Sequence, residues 1–460
     1  MADFDVLVLG AGSGGYACAL RAAQLGLSVG LVEKDKLGGT CLHVGCIPTK
    51  ALLHAAEVAD NTRESQQFGV RATLEGIDMP GVNAYKDGVV SRLFKGLAGL
   101  IKGRGITVIE GEGKVTGDRQ VTVTGADGQE VHTGKHLVLA SGSYARTLPG
   151  LQVDGTRVMT SEHALRLDRV PASVVVLGGG VIGCEFASVW RSFGAEVTIV
   201  EALPRLVAAE DEASSKALER AFRKRGIVFR TGTPFQSVKT TDTGVAVTVE
   251  GGDVIEAELL LVAVGRGPST DGLGYEEAGV AMERGFVLTD ERCRTNVEGV
   301  YAVGDIVPGL QLAHRGFQQG MFVAEDIAGL DPQPIDETAI PRVTYSSPEV
   351  ASVGLDEAAA RAAYGDEVET LTYDLGGNGK SQILKTQGFV KLIRRKDGPV
   401  IGVHLVGDRV GELIGEAQLI YSWEAHAEDV APLVHAHPTQ NEALGEAHLA
   451  LAGKPLHAHS

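Results

Sequence analysis

Two cysteines lie close together in a segment whose residue types could carry out redox chemistry. Cys41 and Cys46 are five residues apart, after the pair Gly38-Gly39 and before Pro48, which favours the first turn of a helix. A disulfide across so short a loop would stabilise the fold by only about 2 kcal/mol. The pair could instead be reduced and reoxidised, because the dipole of a helix N-terminus lowers the pKa of a thiol. The alternative, that both cysteines are simply buried packing residues, explains the pattern equally well.

A glycine-rich turn lies upstream of the cysteines. A predicted strand over 5–9 leads into Gly10, Gly12 and Gly15, and a helix is predicted from there to about residue 25. A second strand over 28–32 ends at Glu33. Glycines in this pattern let the backbone approach a pyrophosphate at the helix N-terminus, and the acid can accept hydrogen bonds from a ribose. The segment is a candidate dinucleotide site.

The same pattern recurs 168 residues further along the chain. A strand over 173–177 precedes Gly178, Gly180 and Gly183, a helix is predicted to about residue 193, and a strand over 196–200 ends at Glu201. One such glycine pattern is weak evidence in a chain with 61 glycines. Two complete copies with identical internal spacing predict two dinucleotide sites.

The neighbours of the two turns indicate which dinucleotide each would hold. Because the cysteines follow Glu33 closely, the first turn should bind a flavin that exchanges electrons with sulfur, and the second turn a nicotinamide nucleotide. Glu201 favours NAD over NADP, since its carboxylate would repel a 2'-phosphate. Arg205 is interpreted as a solvated surface charge.

Length, charge and cysteine usage restrict the class of protein. A chain of 460 residues predicts two to four domains, and a net charge of −17 argues against a nucleic-acid-binding surface. No apolar run is long enough to span a membrane or to form a signal core, so a cytoplasmic location is expected. The five cysteines match neither a secreted disulfide framework nor a zinc site. Cys18, Cys184 and Cys293 are interpreted as packing residues.

Segments further along the chain contain residues suited to binding or to acid–base chemistry. A strand over 136–140 ends in the turn Ser141-Gly142-Ser143, and Asp305 follows a strand and a glycine, which makes it a candidate to bind a polyol hydroxyl. From about residue 339 the pattern is typical of an α+β domain without a nucleotide site. There His437 could act as an acid–base group whose ring Glu442 orients. The alternative is a histidine that only makes a hydrogen bond with the glutamate and has no role in catalysis.

Taken together, these residues resemble the pyridine nucleotide-disulphide oxidoreductases, and within them the dihydrolipoamide dehydrogenases. The resemblance extends over essentially the whole chain. It implies an α/β fold with two Rossmann-like dinucleotide-binding domains, for FAD at 1–145 and for NAD at 146–267, a central domain at 268–338 that completes the FAD site, and an α+β interface domain at 339–460. It also implies a homodimer in which the C-terminal histidine is offered to the partner subunit's disulfide.

The resemblance also implies roles in the reaction. Cys41 would be the thiol that meets dihydrolipoamide and Cys46 the thiol beside the flavin. His437 would be the base, oriented by Glu442. Protein-bound dihydrolipoamide would be oxidised to lipoamide through the disulfide and a tightly bound FAD, with a hydride passed to NAD+. The implied partner is a lipoyl-bearing acyltransferase of a 2-oxoacid dehydrogenase complex or the lipoyl-bearing protein of the glycine-cleavage system.

The remaining residues implied by the resemblance lie around the cofactors. Lys50 would lie near the flavin and pair with Glu185 beside the nicotinamide. The FAD contacts would be Gly10, Gly12, Gly15, Glu33, Lys50, Gly113, Ser141, Gly142, Ser143, Asp305, Leu312, Ala313 and His314. The NAD contacts would be Gly178, Gly180, Gly183, Glu201 and Gly265.

Four positions depart from the residues common in the family. His43 replaces an asparagine, Ser141 a threonine, Gly267 an arginine and Gln319 a glutamate. None removes a group that the reaction needs, although His43 could shift the pKa values of the thiols; its side chain is interpreted as solvated.

Two alternatives to this function remain. Glutathione reductases carry arginines where Glu201 stands, and mercuric reductases add a C-terminal cysteine pair, so both fit less well. The alternative from a different class is a docking subunit whose redox centre is incidental.

Overall fold

The computed structural model describes residues 2–458. The α-helices of this part of the chain are α1 (Ser13–Gln24), α2 (Gly39–His43), α3 (Cys46–Glu64), α4 (Met79–Gly103), α5 (Ser161–Ala164), α6 (Val181–Phe193), α7 (Glu212–Lys224), α8 (Ala313–Ile327), α9 (Glu357–Tyr364), α10 (Gly379–Leu384), α11 (Val410–Ser422), α12 (Ala427–Val430) and α13 (Glu442–Leu451). Short 3-10 turns cover Ser65–Phe68, Gly304–Ile306, Glu337–Ala339, Gly365–Glu367 and Leu375–Gly377.

The strands lie between these helices in the chain. They are β1 (Phe4–Leu9), β2 (Val29–Glu33), β3 (Thr107–Glu110), β4 (Glu112–Gly117), β5 (Gln120–Gly125), β6 (Gly128–Leu139), β7 (Ser143–Ala145), β8 (Val158–Thr160), β9 (Ser173–Leu177), β10 (Glu196–Val200), β11 (Val228–Arg230), β12 (Phe235–Thr240), β13 (Val245–Val249), β14 (Val254–Ala257), β15 (Leu259–Val262), β16 (Arg266–Pro268), β17 (Met282–Glu283), β18 (Phe286–Val287), β19 (Val300–Ala302), β20 (Arg342–Thr344), β21 (Glu349–Gly354), β22 (Val368–Asp374), β23 (Phe389–Arg395) and β24 (Val400–Gly407).

The chain forms two compact units. The first contains the residues up to 52 together with 80–146 and 265–337, and the second contains 53–79, 147–264 and the residues from 338 onward. The segment predicted as the central domain therefore lies in the same unit as the segment predicted to bind FAD. The boundaries of the four domains drawn from the sequence stay predictions.

A mixed sheet forms the centre of the first unit. Its order is β3-β2-β1-β6-β5-β4, with β19 also paired to β6. The pairs β3-β2, β2-β1, β1-β6 and β6-β19 are parallel, whereas β5 is antiparallel to both β6 and β4. The long strand β6 belongs to both the antiparallel and the parallel part of the sheet, because its first half pairs with β5 and its second half with β1. The carboxyl ends of β1, β2 and β6 thus meet at one edge of the sheet.

Apolar side chains cover both faces of β1. Val6 and Val8 belong to one buried cluster, which includes residues of α1 and α8, while Leu7 and Leu9 belong to another on the opposite face. A strand buried on both faces reads as a continuous apolar run, which is how 5–9 appears in the sequence. Helices α1 and α8 pack closely, since a Cβ added at Gly320 would lie 2.2 Å from the carbonyl oxygen of Gly14.

The second unit contains a parallel sheet and two antiparallel ones. The parallel sheet has the order β11-β10-β9-β15-β8, and a three-stranded meander runs β12-β13-β14. The third sheet, β20-β21-β24-β23-β22, is antiparallel and packs its apolar face against α11 and α13. The α+β region expected from about residue 339 is confirmed in this sheet. Within residues 2–458 no helix is long and apolar enough to cross a membrane.

Candidate functional site

The first glycine turn, between β1 and α1, closes tightly on the end of β6. Gly10 has a φ of 103°, and a Cβ added there would lie 2.4 Å from the carbonyl oxygen of Ala140. A Cβ at Gly15 would lie 1.8 Å from the carbonyl oxygen of Gly10. At the end of β2, the Oε2 atom of Glu33 accepts a hydrogen bond of 2.8 Å from the N–H of Ala11. Only glycine fits the two tight positions, and the carboxylate is held at the mouth of the turn.

The second glycine turn, between β9 and α6, repeats this geometry in the other unit. Gly178 has a φ of 110°, and a Cβ added there would lie 2.3 Å from the carbonyl oxygen of Ala263. A Cβ at Gly183 would lie 1.9 Å from the carbonyl oxygen of Gly178. The N–H of Gly179 donates a hydrogen bond of 2.5 Å to Oε2 of Glu201. The chain therefore builds the same turn twice.

The middle glycine of each turn faces open space. A Cβ added at Gly12 or at Gly180 would meet no other atom within 4 Å. These two glycines are the N-caps of α1 and α6, and neither helix start is capped by a side chain. Backbone N–H groups at an uncapped helix N-terminus bind phosphate, so both turns fit the pyrophosphate of a dinucleotide.

A polar cluster in the first unit brings together three of the residues predicted to bind FAD. The hydroxyl of Ser143 donates a hydrogen bond to Asp305, which lies in the 3-10 turn after β19. The Nε atom of Arg266 donates to the Ser143 hydroxyl at 2.7 Å. The Tyr275 hydroxyl donates to Ser141 at 2.9 Å. Arg266 and Tyr275 were not predicted as site residues, although the arginine stands in a short Gly-Arg-Gly-Pro run that the sequence makes visible.

Helix α8 begins close to this cluster in the chain. Leu312 is its N-cap, and Ala313 and His314 form the first turn. The side chain of Gln319 accepts a hydrogen bond of 2.8 Å from the N–H of Gly304, the residue before Asp305. An amide oxygen thus does what a carboxylate oxygen could do at this position, so the departure from the common glutamate leaves the turn intact.

Three other glycines predicted as cofactor contacts lie in the first unit. A Cβ added at Gly113, in β4, would lie 2.5 Å from a side-chain atom of Leu9, so packing on β1 already requires glycine there. Gly142 and Gly265 both have positive φ angles, of 77° and 106°. Gly265 lies in a different unit from the other predicted NAD residues.

The two cysteines lie in the first unit, on consecutive helices. Cys41 is within α2, and Cys46 is the first residue of α3, as the position of Pro48 predicted. A hydrogen bond with the side chain of Cys46 and burial raise the pKa of the Cys41 thiol, while the charge of Lys50 and a hydrogen bond with Ser13 act in the opposite direction. The Cys41 thiol therefore contacts the side chains of Cys46 and of Ser13, a residue of the first glycine turn, and interacts electrostatically with Lys50.

The first glycine turn also fixes the start of α2. The N–H of Gly38 donates a hydrogen bond of 2.8 Å to the carbonyl oxygen of Ala11. A Cβ added at Gly39 would lie 2.7 Å from the Cα of Gly12. The cysteine segment is thus held directly against the turn that fits a dinucleotide.

Two side chains that were expected to be solvated are not. His43 is half-buried, and its Nε2 atom lies 2.9 Å from the carbonyl oxygen of Leu37. Arg205 is also half-buried and donates to the carbonyl oxygens of Ala208 and Glu210, at 2.8 and 2.9 Å. Both predictions were wrong because the acceptors are backbone carbonyls, which the residue pattern does not reveal.

The other cysteines are packing residues, as predicted. Cys18, Cys184 and Cys293 are buried, with exposed fractions of 0%, 0% and 6%. Burial raises the pKa of Cys18 and Cys293 to about 12. These thiols are protonated near neutral pH and are poor nucleophiles.

The predicted acid–base pair forms in the second unit. His437 exposes 78% of its side chain, and its Nδ1 atom lies 2.8 Å from Oε1 of Glu442. The other oxygen of Glu442 accepts a hydrogen bond of 2.7 Å from the N–H of Thr439. Burial raises the pKa of Glu442, but the bonds from Thr439 and His437 outweigh it and hold this pKa below its ordinary value. An ionised carboxylate therefore orients an accessible imidazole.

A second histidine supports this segment. Nε2 of His435 lies 2.8 Å from Oε1 of Glu416, on α11, and the Asn441 side chain donates to the other oxygen of that glutamate. Sequence reasoning missed this contact, because Glu416 is remote in the chain and has no motif of its own.

Glu185 lies on α6 and is 2% exposed. One of its carboxylate oxygens accepts a hydrogen bond of 3.0 Å from the N–H of Tyr345. Lys50 lies on α3 in the first unit. The pairing of Lys50 with Glu185 stays a prediction.

Comparisons with known proteins agree with this arrangement. Residues 4–320 match the family model described as pyridine nucleotide-disulphide oxidoreductase, and residues 340–448 match its dimerisation domain. The chain is 41% identical, over an alignment of 471 positions, to a dihydrolipoyl dehydrogenase of Bacillus subtilis, covering 99% of each protein. It is also similar to the solved structure of LpdA from Mycobacterium tuberculosis, with a TM-score of 0.91 and 28% identity over 97% of this chain and 99% of that one. A flavoprotein disulfide reductase of Escherichia coli, RclA, gives a TM-score of 0.89 at 25% identity over 98% of this chain and 100% of that one. The chain therefore belongs to the pyridine nucleotide-disulphide oxidoreductase family.

Proposed function

We propose that this protein is an NAD-dependent dihydrolipoyl dehydrogenase, which oxidises protein-bound dihydrolipoamide through the Cys41–Cys46 pair. The observation that carries the proposal is the contact of the two thiols beside the first glycine turn, with Gly38 bonded to Ala11. The name of the Bacillus subtilis relative, which is similar over 99% of this chain, supports the same substrate.

The thiols of this chain would act by thiol–disulfide exchange. A thiolate of dihydrolipoamide attacks the Cys41 sulfur of the oxidised pair, and Cys46 leaves as a thiolate. This attack leaves a mixed disulfide between the substrate and Cys41. The second thiol of the substrate then attacks the substrate sulfur of the mixed disulfide, which frees the Cys41 thiolate and releases lipoamide. His437 accepts the proton of the attacking substrate thiol and passes it to solvent before it accepts that of the second thiol, with Glu442 holding its ring. We assign His437 to the partner subunit's disulfide in a homodimer, which the match to a dimerisation domain supports.

The cofactor residues follow from the two turns. Gly10, Gly12, Gly15, Glu33, Gly113, Ser141, Gly142, Ser143, Asp305, Leu312, Ala313 and His314 would hold FAD, with Lys50 near its ring system. Gly178, Gly180, Gly183, Glu201 and Gly265 would hold NAD, with Glu185 beside the nicotinamide. When bound, FAD supplies a two-electron acceptor for the reduced thiol pair and a hydride donor for NAD+.

The partner would be a lipoyl-bearing protein of a 2-oxoacid dehydrogenase complex or of the glycine-cleavage system. An acidic chain, with a net charge of −17, suits a basic docking segment on that partner. The cytoplasmic location expected from the sequence stays a prediction.

The test is NADH formation from dihydrolipoamide and NAD+ by the purified protein and by two variants. We expect Cys46→Ser to retain its flavin absorbance and to lose turnover, because the flavin site does not need the thiol that the relay requires. Cys293→Ala, which removes a buried thiol, should retain both. Turnover of dihydrolipoamide by Cys46→Ser at the wild-type rate would contradict the relay, and a wild-type protein that turns over only glutathione disulfide would assign it to a different reductase.

A further inference from the structure

The histidine between the two cysteines makes contacts that tie its helix down. Nε2 of His43 lies 2.9 Å from the carbonyl oxygen of Leu37. A carbonyl oxygen can only accept, so Nε2 is the protonated nitrogen and this bond is available to the neutral and the charged ring alike. The ring also packs edge-on against Phe94 of α4, with centroids 5.4 Å apart and planes at 67°. The side chain is therefore held from two sides.

The hydrogen bond spans a pair of glycines at the start of the cysteine segment. Gly38 is the N-cap of α2 and Gly39 is its first residue, with φ angles of 104° and 58°. Glycine loses more conformational freedom on ordering than any other residue, so ordering this pair carries a larger entropic cost than ordering other residues would. The bond from His43 closes a loop over both glycines and restrains α2, which carries Cys41 two residues before the histidine.

We propose that His43 is a positioning residue that keeps Cys41 in contact with Cys46 and so favours their disulfide over the dithiol. The proposal rests on the proposed function of the pair as a redox centre. Oxidation of the two thiols forms one S–S bond and releases two protons and two electrons. A looser segment lowers the effective concentration of one sulfur around the other, so the disulfide forms less readily and its reduction potential rises.

The residue common in the family cannot make this contact. An asparagine amide nitrogen would lie near the position of the histidine Nδ1 atom, whereas a glutamine amide nitrogen reaches the position of Nε2. His43→Asn should therefore lose the bond to Leu37, and His43→Gln should keep it without a titratable ring. His54→Asn is a matched control, because His54 lies on α3 with 59% of its side chain exposed.

The experiment equilibrates each holoprotein with mixtures of reduced and oxidised dithiothreitol, which supplies and accepts the two electrons and two protons. Free thiols are then alkylated, and mass spectrometry of the peptide with Cys41 and Cys46 gives the oxidised fraction. We expect His43→Asn to lower the equilibrium constant for the disulfide by about fivefold, the value of a typical hydrogen bond. This change corresponds to a reduction potential higher by about 20 mV. His43→Gln and His54→Asn should stay within about twofold of the wild type.

Two results would overturn the inference. If His43→Asn lowers the melting temperature but leaves the disulfide equilibrium at the wild-type value, the histidine is purely structural. If the wild-type pair stays reduced in fully oxidised dithiothreitol, the proposed function fails in the unsubstituted protein. That failure is distinct from an effect of His43.

Discussion

The two glycine turns allow a test of which cofactor each one binds. The same substitution, glycine to alanine, can be made at Gly15 and at Gly183, the third glycine of each turn. The new Cβ would lie 1.8 Å from the carbonyl oxygen of Gly10 in one case and 1.9 Å from that of Gly178 in the other. A close carbon–oxygen contact is about 3.3 Å, so the start of the helix must move by about 1.5 Å in the first case and about 1.4 Å in the second.

The expected cost of that movement follows from overpacking. Inserting a methyl group into a filled site costs about 2 kcal/mol, which corresponds to about thirtyfold in the dissociation constant if the turn must regain its shape to bind. Gly15→Ala should therefore retain less FAD than the wild type after gel filtration. Gly183→Ala should keep its FAD and bind NADH about thirtyfold more weakly.

The assay measures flavin absorbance per chain after gel filtration and the NADH affinity by fluorescence titration. Gly88→Ala is the control, since Gly88 is exposed within α4 and an added Cβ would meet no atom within 4 Å. It should change neither quantity. Flavin retained by Gly15→Ala and lost by Gly183→Ala would refute the assignment of the two turns.

Three further outcomes are expected. The ratio kcat/KM should be much larger for NADH than for NADPH, because the Glu201 carboxylate would repel a 2'-phosphate bound at the second turn, and equal ratios would contradict that assignment. Glu442→Gln should reduce the rate of dihydrolipoamide oxidation by about 100-fold with NADH affinity unchanged, since His437 loses its charged partner. An unchanged rate would show that the His437 base does not need Glu442. Burial raises the pKa of Glu349 to about 7 despite a hydrogen bond from the Gly411 N–H, so its protonated form is favoured in the fold and stability is lost as the pH rises from about 4.5 to about 7. Between pH 5 and pH 8, the free energy of unfolding of Glu349→Gln should therefore rise by about 3 kcal/mol relative to that of the wild type, as measured by urea unfolding. Parallel pH profiles of the two proteins would count against this.

The repeated fingerprints are the part of the fold most visible in the sequence. Strand, glycine turn, helix, strand and acid form one local unit, so their order predicts the turn before any distant contact is known. The strand over 173–177 and the strand over 196–200 agree with β9 and β10 residue for residue. The packing of Cys18, Cys184 and Cys293 could also be predicted, since each stands in an apolar or featureless setting.

The cysteine segment was only partly predictable. That Cys46 begins a helix follows from local chemistry around Pro48. The contact of the segment with Ala11 joins residues far apart in the chain, and no local pattern announces it. The hydrogen bond of His43 to a carbonyl oxygen is hidden for the same reason, because every residue carries that acceptor.

The sequence by itself determined the chemical groups of this protein and the local turns that present them: two thiols, two glycine turns with their acids, and a histidine five residues before a glutamate. These are short-range features, in which residue type and spacing restrict the backbone directly. Only the tertiary structure decided that Arg266 bonds to Ser143 and that the thiols touch beside the first turn. The first contact depends on how β7 and β16 align, and the second on how the cysteine segment is held against the first glycine turn. Both are set by packing between residues that are distant in the chain.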